Sequence, residues 1–192
     1  YGQTWTAIRS NLPAGAVNVV VQDRKNRNLL IVGTDMGVFV SIDLGGNWTR
    51  LKANLPTVAV HDLLIHPREN DLVLGTYGRG FWVGDISPLQ DLAAGTLDKP
   101  VHLFDIEPKA HYGFGTQGMN YRLFGDRYIE VPNEFDGMVI NYWSNPSTSP
   151  GQGTQARITI TDVSGRQIAQ LPGQARAGLN RVQWAMTAAS DG

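Results

Sequence analysis

Trp5 is followed six residues later by Asn11-Leu12-Pro13, and Trp48 six residues later by Asn54-Leu55-Pro56, an offset of 43 in both cases. Each Asn-Leu-Pro leads into an apolar run of strand character, Val17-Asn18-Val19-Val20-Val21 and then Val60-His61-Asp62-Leu63-Leu64-Ile65. A polar turn follows each run, over 23–28 and 66–71, and a second strand then ends in Gly33-Thr34 and in Gly75-Thr76, an offset of 42. A third strand follows in each copy, Gly37-Val38-Phe39-Val40-Ser41 and Gly80-Phe81-Trp82-Val83. The two copies align with single-residue gaps only.

A repeat of this length holding three or four short strands is the signature of a β-propeller blade. A β-sandwich requires no such self-similarity. Each blade is a small twisted sheet that buries its faces against its neighbours, so two blades cannot close a ring. More blades upstream, or a partner chain supplying them, are therefore expected. The chain starts at Tyr1 in mid-motif, with no initiator Met or signal peptide, and is read as a piece of a longer protein. Composition agrees with an all-β chain. Gly and Pro make up 32 of 192 residues, and Lys and Glu, the usual residues of exposed helices, number four each.

Ser41-Ile42-Asp43-Leu44-Gly45-Gly46-Asn47-Trp48 fits S-x-D-x-G-x-x-W, and Gly2-Gln3-Thr4-Trp5 matches its tail. This octet resembles the Asp-box, or BNR repeat, of sialidases, sortilin-like receptors and related propellers. Its physics is local. The Asp43 carboxylate can accept hydrogen bonds from the amides of the following turn. Gly45 and Gly46 can adopt positive φ, and Trp48 is expected to pack under the hairpin. In the resembling proteins the box sits on the outer hairpin of a blade, away from the central channel. Ser41, Asp43, Gly45 and Trp48 are therefore assigned a structural role.

The stretch from His66 to Leu89, His66-Pro67 through Asp71-Leu72, Gly75-Thr76-Tyr77-Gly78-Arg79-Gly80-Phe81-Trp82 and Asp85-Ile86-Ser87-Pro88-Leu89, is similar to the final blade of large bacterial sortilin-like BNR-repeat proteins, often labelled glycosyl hydrolases. It departs from them at Tyr77, where His is common, and at Gly84, where Asp is common. The resemblance implies a secreted, periplasmic or cell-surface location and an immunoglobulin-like or fibronectin-like β-sandwich after the propeller. Three regions follow from this: two propeller blades over 1–92, a connector over 93–131, and an immunoglobulin-like domain over 132–192.

The residues after the repeats fit that division. Ser87 is a candidate N-cap with Pro88 at the first helical position, giving one or two helical turns over 87–94. A turn-rich exit is expected over 95–100 and a short strand over 101–104. The aromatic, Gly-rich stretch 111–128 has no clean periodicity. Its aromatics Tyr112, Phe114, Tyr121, Phe124 and Tyr128 are read as glue between domains, with sugar stacking as the alternative. Strands are expected over 137–143, 157–163, 166–171 and 178–184, with a tight two-residue turn at Ser164-Gly165. The core face is predicted as Val139, Ile158, Ile160, Ile168, Leu171, Val182 and Trp184.

Several chemistries are disfavoured. The chain has no Cys, which excludes disulfides, CxxC redox motifs and thiolate zinc sites. Sixteen Lys and Arg oppose seventeen Asp and Glu, a balance unlike that of nucleic-acid binders. No apolar run reaches the roughly 18 residues of a spanning helix. His61, His66, His102 and His111 lack metal-ligand spacing. The G-x-G-x-x-G spacing over 113–118 has no βαβ context, and no G-x-S-x-G elbow is present. No calcium-loop motif is present either, so no cofactor is assigned. A glycosidase needs two carboxylates about 5–10 Å apart. Asp35, Asp62, Asp71, Asp85 and Glu69 are the candidates. Glu69 and Asp71 lie in an expected hairpin turn, where such residues are ordinary turn formers. Asp35 follows Gly33-Thr34 at the site matching Tyr77, and Asp62 near the start of an inner strand can face the channel. The resemblance to sialidases adds Tyr77 and Arg79, a phenol and a guanidinium two apart on a Gly-rich turn. The alternative for Arg79 is closing the ring against the next blade. Asp35, Asp62, Tyr77 and Arg79 thus stand as ligand-contacting candidates, with a glycan or an extended peptide as the ligand. The reading is a non-catalytic structural and binding module, the alternative being the end of a glycoside hydrolase whose carboxylates lie in other blades.

Overall fold

The computed structural model describes residues 2–52, 54–92, 94–106, 108, 135–145 and 155–187. The chain divides into two compact units, Tyr1–Asp98 and Lys99–Gly192. Both are built from antiparallel sheets, so the chain is all-β as expected. No described helix is long and apolar enough to cross a membrane.

The first unit holds two sheets. One runs β1 (Val17–Gln22), β2 (Leu30–Thr34), β3 (Gly37–Ser41) and β4 (Thr49–Arg50) in that order; the other runs β5 (Val60–Ile65), β6 (Asp71–Thr76) and β7 (Phe81–Asp85). The repeat survives in detail. Val17 pairs with Thr34 and Val60 with Thr76; Val20 pairs with Val32 and Leu63 with Leu74. Both first strands carry a bulge at the same place, between Val17 and Val19 and between Val60 and Asp62. The tight ends match as well: Thr34 Oγ1 donates to Gly37 O at 2.9 Å, and Thr76 Oγ1 to Gly80 O at 2.6 Å.

One face of the first sheet (Ile31, Val38, Val40, with Val19 and Val21) packs against Leu63, Leu72 and Leu74 of the second, forming one core that also takes in Leu29, Val60, Ile86 and Leu89. The opposite face of the first sheet forms a smaller core from Leu30, Val32 and Phe39, covered by Leu12 and Trp48. Branched side chains dominate both, as suits pleated, closely packed surfaces.

After β7 come two one-turn helices, α1 (Ser87–Gln90) and α2 (Ala94–Leu97), where a turn-rich exit was expected from 95. Ser87 is inside α1 rather than its cap; the capping position is Ile86, with no side-chain hydrogen bond. The Ser87 hydroxyl instead donates back to Asp85 Oδ1 at 2.6 Å. Gln90 anchors α1 through a buried bond from Nε2 to Asp23 Oδ1 at 2.8 Å, while Asn26 Nδ2 donates to Gln90 O at 2.9 Å.

The second unit holds a three-stranded sheet of β12 (Gly178–Trp184), β9 (Met138–Ser144) and β8 (Val101–Leu103), in that order, and a hairpin of β10 (Gln155–Thr161) and β11 (Gln167–Gln174). Three details differ from expectation. First, Val139 pairs with Gln183, so it lies on the face opposite Val182 and Trp184. The deeply buried side of β9 is Ile140, Tyr142 and Ser144, in register with Val182, Asn180 and Gly178. Second, the hairpin turn is not a two-residue turn. Asp162 and Arg166 close it around Val163-Ser164-Gly165, with Gly165 at φ 85 and a bulge after Ile160, the usual three-residue loop with glycine in the left-handed position. Third, Val101–Leu103 pairs with β9 and belongs to this unit. The expectations for 111–128 lie outside the described residues.

Candidate functional site: a hairpin corner and a row of bulge pairs

The octet Ser41–Trp48 forms a closed hydrogen-bonded corner between β3 and β4. The buried Ser41 hydroxyl donates to Asp43 Oδ1 at 2.7 Å and accepts from the Gly45 amide at 2.8 Å. Asp43 Oδ1 also accepts from the Asn47 amide, and Oδ2 from Asn47 Nδ2, each at 2.8 Å. Together the Ser41 hydroxyl and the Asn47 side chain hold the Asp43 carboxyl below its ordinary range. Left-handed backbone falls on Leu44 and Gly45, at φ 58 and 89, not on both glycines as expected. A Cβ on Gly45 would lie 2.6 Å from Ile8 Cβ, and one on Gly46 2.9 Å from Asp43 Oδ2. Gly45 is therefore needed for conformation and space, Gly46 for space alone.

Trp48 is fixed from three sides. Its indole Nε1 donates to Ile8 O at 2.8 Å, its amide donates to Asn11 Oδ1 at 2.7 Å, and Asn11 Nδ2 donates to its carbonyl at 3.0 Å. Trp5, the same residue one repeat earlier, is 90% exposed. In the second copy Gly84-Asp85-Ile86 stands in register where Ser41-Ile42-Asp43 stands in the first, so the Ser and Asp of the corner are not repeated, and the chain turns into α1.

The sequence candidates lie at the other end of the strands. Asp35 is exposed and accepts from Asn18 Nδ2 at 3.0 Å. Tyr77, 75% exposed, stacks on His61 with ring centroids 5.6 Å apart. These pairs are the same pair: Asn18 and His61 are the bulge residues of β1 and β5, and Asp35 and Tyr77 follow Thr34 and Thr76. Backbone bonds set the loop residues alike, Asp35 N to Ala16 O at 3.4 Å and Tyr77 N to Ala59 O at 2.9 Å. Asn18 Nδ2 also reaches the neighbouring sheet, donating to Val60 O at 3.1 Å.

Asp62, exposed, accepts from the Leu63 amide at 2.9 Å. Arg79 is exposed, and its carbonyl accepts from Trp82 Nε1 at 3.2 Å. The structure thus brings Tyr77 to His61 and Asp35 to Asn18, while the recorded partners of Asp62 and Arg79 are backbone and indole groups of their own sheet. Among the described residues no three His, Asp or Glu side chains gather as a metal site. Asn18 was not singled out from sequence, Asn11 only as part of the repeated triplet, and His61 only as a histidine without metal-ligand spacing. The repeat itself carried the signal, since the 43-residue offset places His61 on Asn18.

Comparison of the chain with protein-family models, curated proteins and solved structures finds no match.

Proposed function

We propose that the first unit is a pair of consecutive blades of an Asp-box β-propeller, and that the chain serves as a non-catalytic structural and binding module. In this reading the blades belong to a ring of like sheets, and the second unit is an immunoglobulin-like accessory domain for contact with proteins or glycans. A secreted or cell-surface setting follows from the resemblance of the motifs.

The observation that carries the reading is a face used once and open once. Val21, Ile31 and Val40 of the first sheet are covered by the second sheet. Their register counterparts in the second sheet are Leu64, Val73 and Val83. Leu64 is 51% exposed and Val83 64% exposed, and Phe81, the counterpart of Val38, is 82% exposed. A row of apolar residues of this size on a sheet face calls for a covering element.

The non-catalytic part rests on the candidates' chemistry. Hydrolysis of a glycosidic bond needs two carboxylates set across it, whereas Asp35 is paired with an amide side chain and Asp62 with a main-chain amide. Assay of the chain against aryl glycosides, beside Asp35→Asn and Asp62→Asn, tests this. No turnover is expected in any of them. Turnover abolished by either substitution would overturn the reading in favour of a hydrolase site on these blades.

A further inference from the structure

The two sheets of the first unit carry the same slot, filled in one and open in the other. At Gly33 a Cβ would lie 2.8 Å from Val19 Cγ1, 2.9 Å from Val60 Cγ1 and 3.0 Å from Val60 O. The start of β5 passes so close to β2 that only glycine fits, and Asn18 fastens it by donating to Val60 O at 3.1 Å. Gly75 holds the same register place opposite the second bulge. A Cβ there would meet nothing nearer than Asp62 O at 3.6 Å. His61 stands in the place of Asn18, with a ring N–H available as a donor. Among the described residues the second sheet therefore keeps the glycine, the donor and the apolar row of a docking face, without a strand like the one the first sheet accommodates.

The strand that fits is on the same chain. Val60 and Leu63 are the residues with which β5 enters the first slot, and both are buried. Their counterparts on β1, Val17 and Val20, are 48% and 55% exposed. An open apolar groove of about 410 Å³, lined by Val17, Val20, Val32, Leu12, Ile8 and Trp48 among others, runs along that side. One end of the unit thus offers a slot and the other the strand that fills it.

We propose that the slot at Gly75 takes β1 of a second copy of this chain, docked head to tail. In the contact His61 donates to the carbonyl of the second copy's Val17, whose side chain lies over Gly75, and Leu64, Phe81 and Val83 are covered by that copy's Val20 together with the Leu12 and Trp48 layer on its first sheet. The proposal rests on the propeller reading, because it uses the observed sheet-to-sheet contact as its template. The contact is heterologous, so copies add until the rotation closes a ring.

Light scattering of the purified chain from micromolar to millimolar concentration is the test, with Gly75→Val and Val17→Asp as variants. The wild-type mass is expected to rise with concentration beyond twice the 21.0 kDa of one chain. Each variant alone is expected to stay at 21.0 kDa with unchanged circular dichroism, because each blocks one end at an open position. Mixed in equal amounts, they are expected to form a dimer and stop there, since one intact slot meets one intact strand. A wild-type chain that remains monomeric, variants that associate as the wild type does, or a mixture that stays monomeric would each overturn the self-docking. The propeller reading would then still face its own test, the contacts made by this face in the protein purified from its source.

Discussion

Asn11 and Trp48 hold one another through both edges of a single carboxamide: Asn11 Oδ1 accepts from the Trp48 amide at 2.7 Å while Nδ2 donates to the Trp48 carbonyl at 3.0 Å. The first motif of the repeat, Asn-Leu-Pro, is thereby tied to the last residue of the Ser41–Trp48 octet, 37 positions later. Leu12 adds its side chain to the core under the same tryptophan. Asn11→Ala removes both bonds and leaves the Trp48 backbone groups to find water, at a cost of about 1–2 kcal/mol. Urea unfolding followed by tryptophan fluorescence is expected to show a lower midpoint for Asn11→Ala, and an intermediate one for Asn11→Asp, which keeps only the acceptor.

Gly33 and Gly75 occupy the same register place and are expected to respond in opposite ways. Gly33→Ala forces a methyl against Val19 and Val60 at under 3.0 Å and is expected to destabilise by about 1–3 kcal/mol. Gly75→Ala places its methyl in ordinary contact at 3.6 Å or beyond and is expected to lie within about 0.5 kcal/mol of the wild type. Paired denaturation curves decide; equal destabilisation would remove the distinction between a filled and an open slot.

Asp43 makes the corner between β3 and β4 sensitive to acid. Its folded carboxyl titrates below the ordinary value, chiefly through the Ser41 hydroxyl and the Asn47 side chain. The ionised corner therefore contributes stability that is present above the unfolded carboxylate range and is lost as pH falls through the folded value. The site is exposed and screened, so the contribution is at most about 1 kcal/mol. The protection of the Gly45 and Asn47 amides against hydrogen exchange, taken relative to the intrinsic rate at each pH, is expected to fall on acidification in the wild type. In Asp43→Asn that protection is expected to be low at every pH; an unchanged profile would contradict the role given to the carboxylate.

In the second unit, the Tyr142 hydroxyl donates to Gln174 O at 2.5 Å and ties β9 to the end of β11. Burial raises the phenol above its ordinary value. A raised folded value means stability that is complete below the unfolded phenol range, near pH 10, and lost as pH rises through the folded value. Tyr142→Phe leaves the Gln174 carbonyl unpaired and is expected to cost about 1–2 kcal/mol. It should also abolish the late step in the alkaline absorbance titration of the chain. A titration with no late-ionising tyrosine would contradict the assignment.

The spacing of Trp5, Trp48 and the two Asn-Leu-Pro triplets located β1 to within one residue and β5 to the residue, because a repeat of apolar runs imposes the same strand twice. The bonds among Ser41, Asp43, Gly45 and Asn47 were equally legible, since each spans at most four residues, whereas Trp48 is held by Ile8 and Asn11 from far along the chain. The bulges were not. An extra residue in a strand leaves no compositional trace, so Asn18 and His61 were read as ordinary strand positions and their pairing with Asp35 and Tyr77 went unseen. Val139 was placed on the wrong face for a related reason. Alternation fixes a period but not which parity is buried when both sides carry large residues, as in Met138-Val139-Ile140. Position Ser87 misled through its type: a serine before proline reads as a cap, but its hydroxyl is already committed to Asp85.

The central claim is that Leu64, Phe81, Val83 and Gly75 form a face made to be covered by another sheet of the same kind. The most direct measurement is a structure, by electron cryomicroscopy or crystallography, of the protein as purified from its source. The account predicts a third sheet lying on that face, with the start of its first strand passing Gly75 as Val60 passes Gly33, and with His61 bonded to its backbone. Finding Leu64, Phe81 and Val83 open to solvent, or covered by a helix, would contradict it.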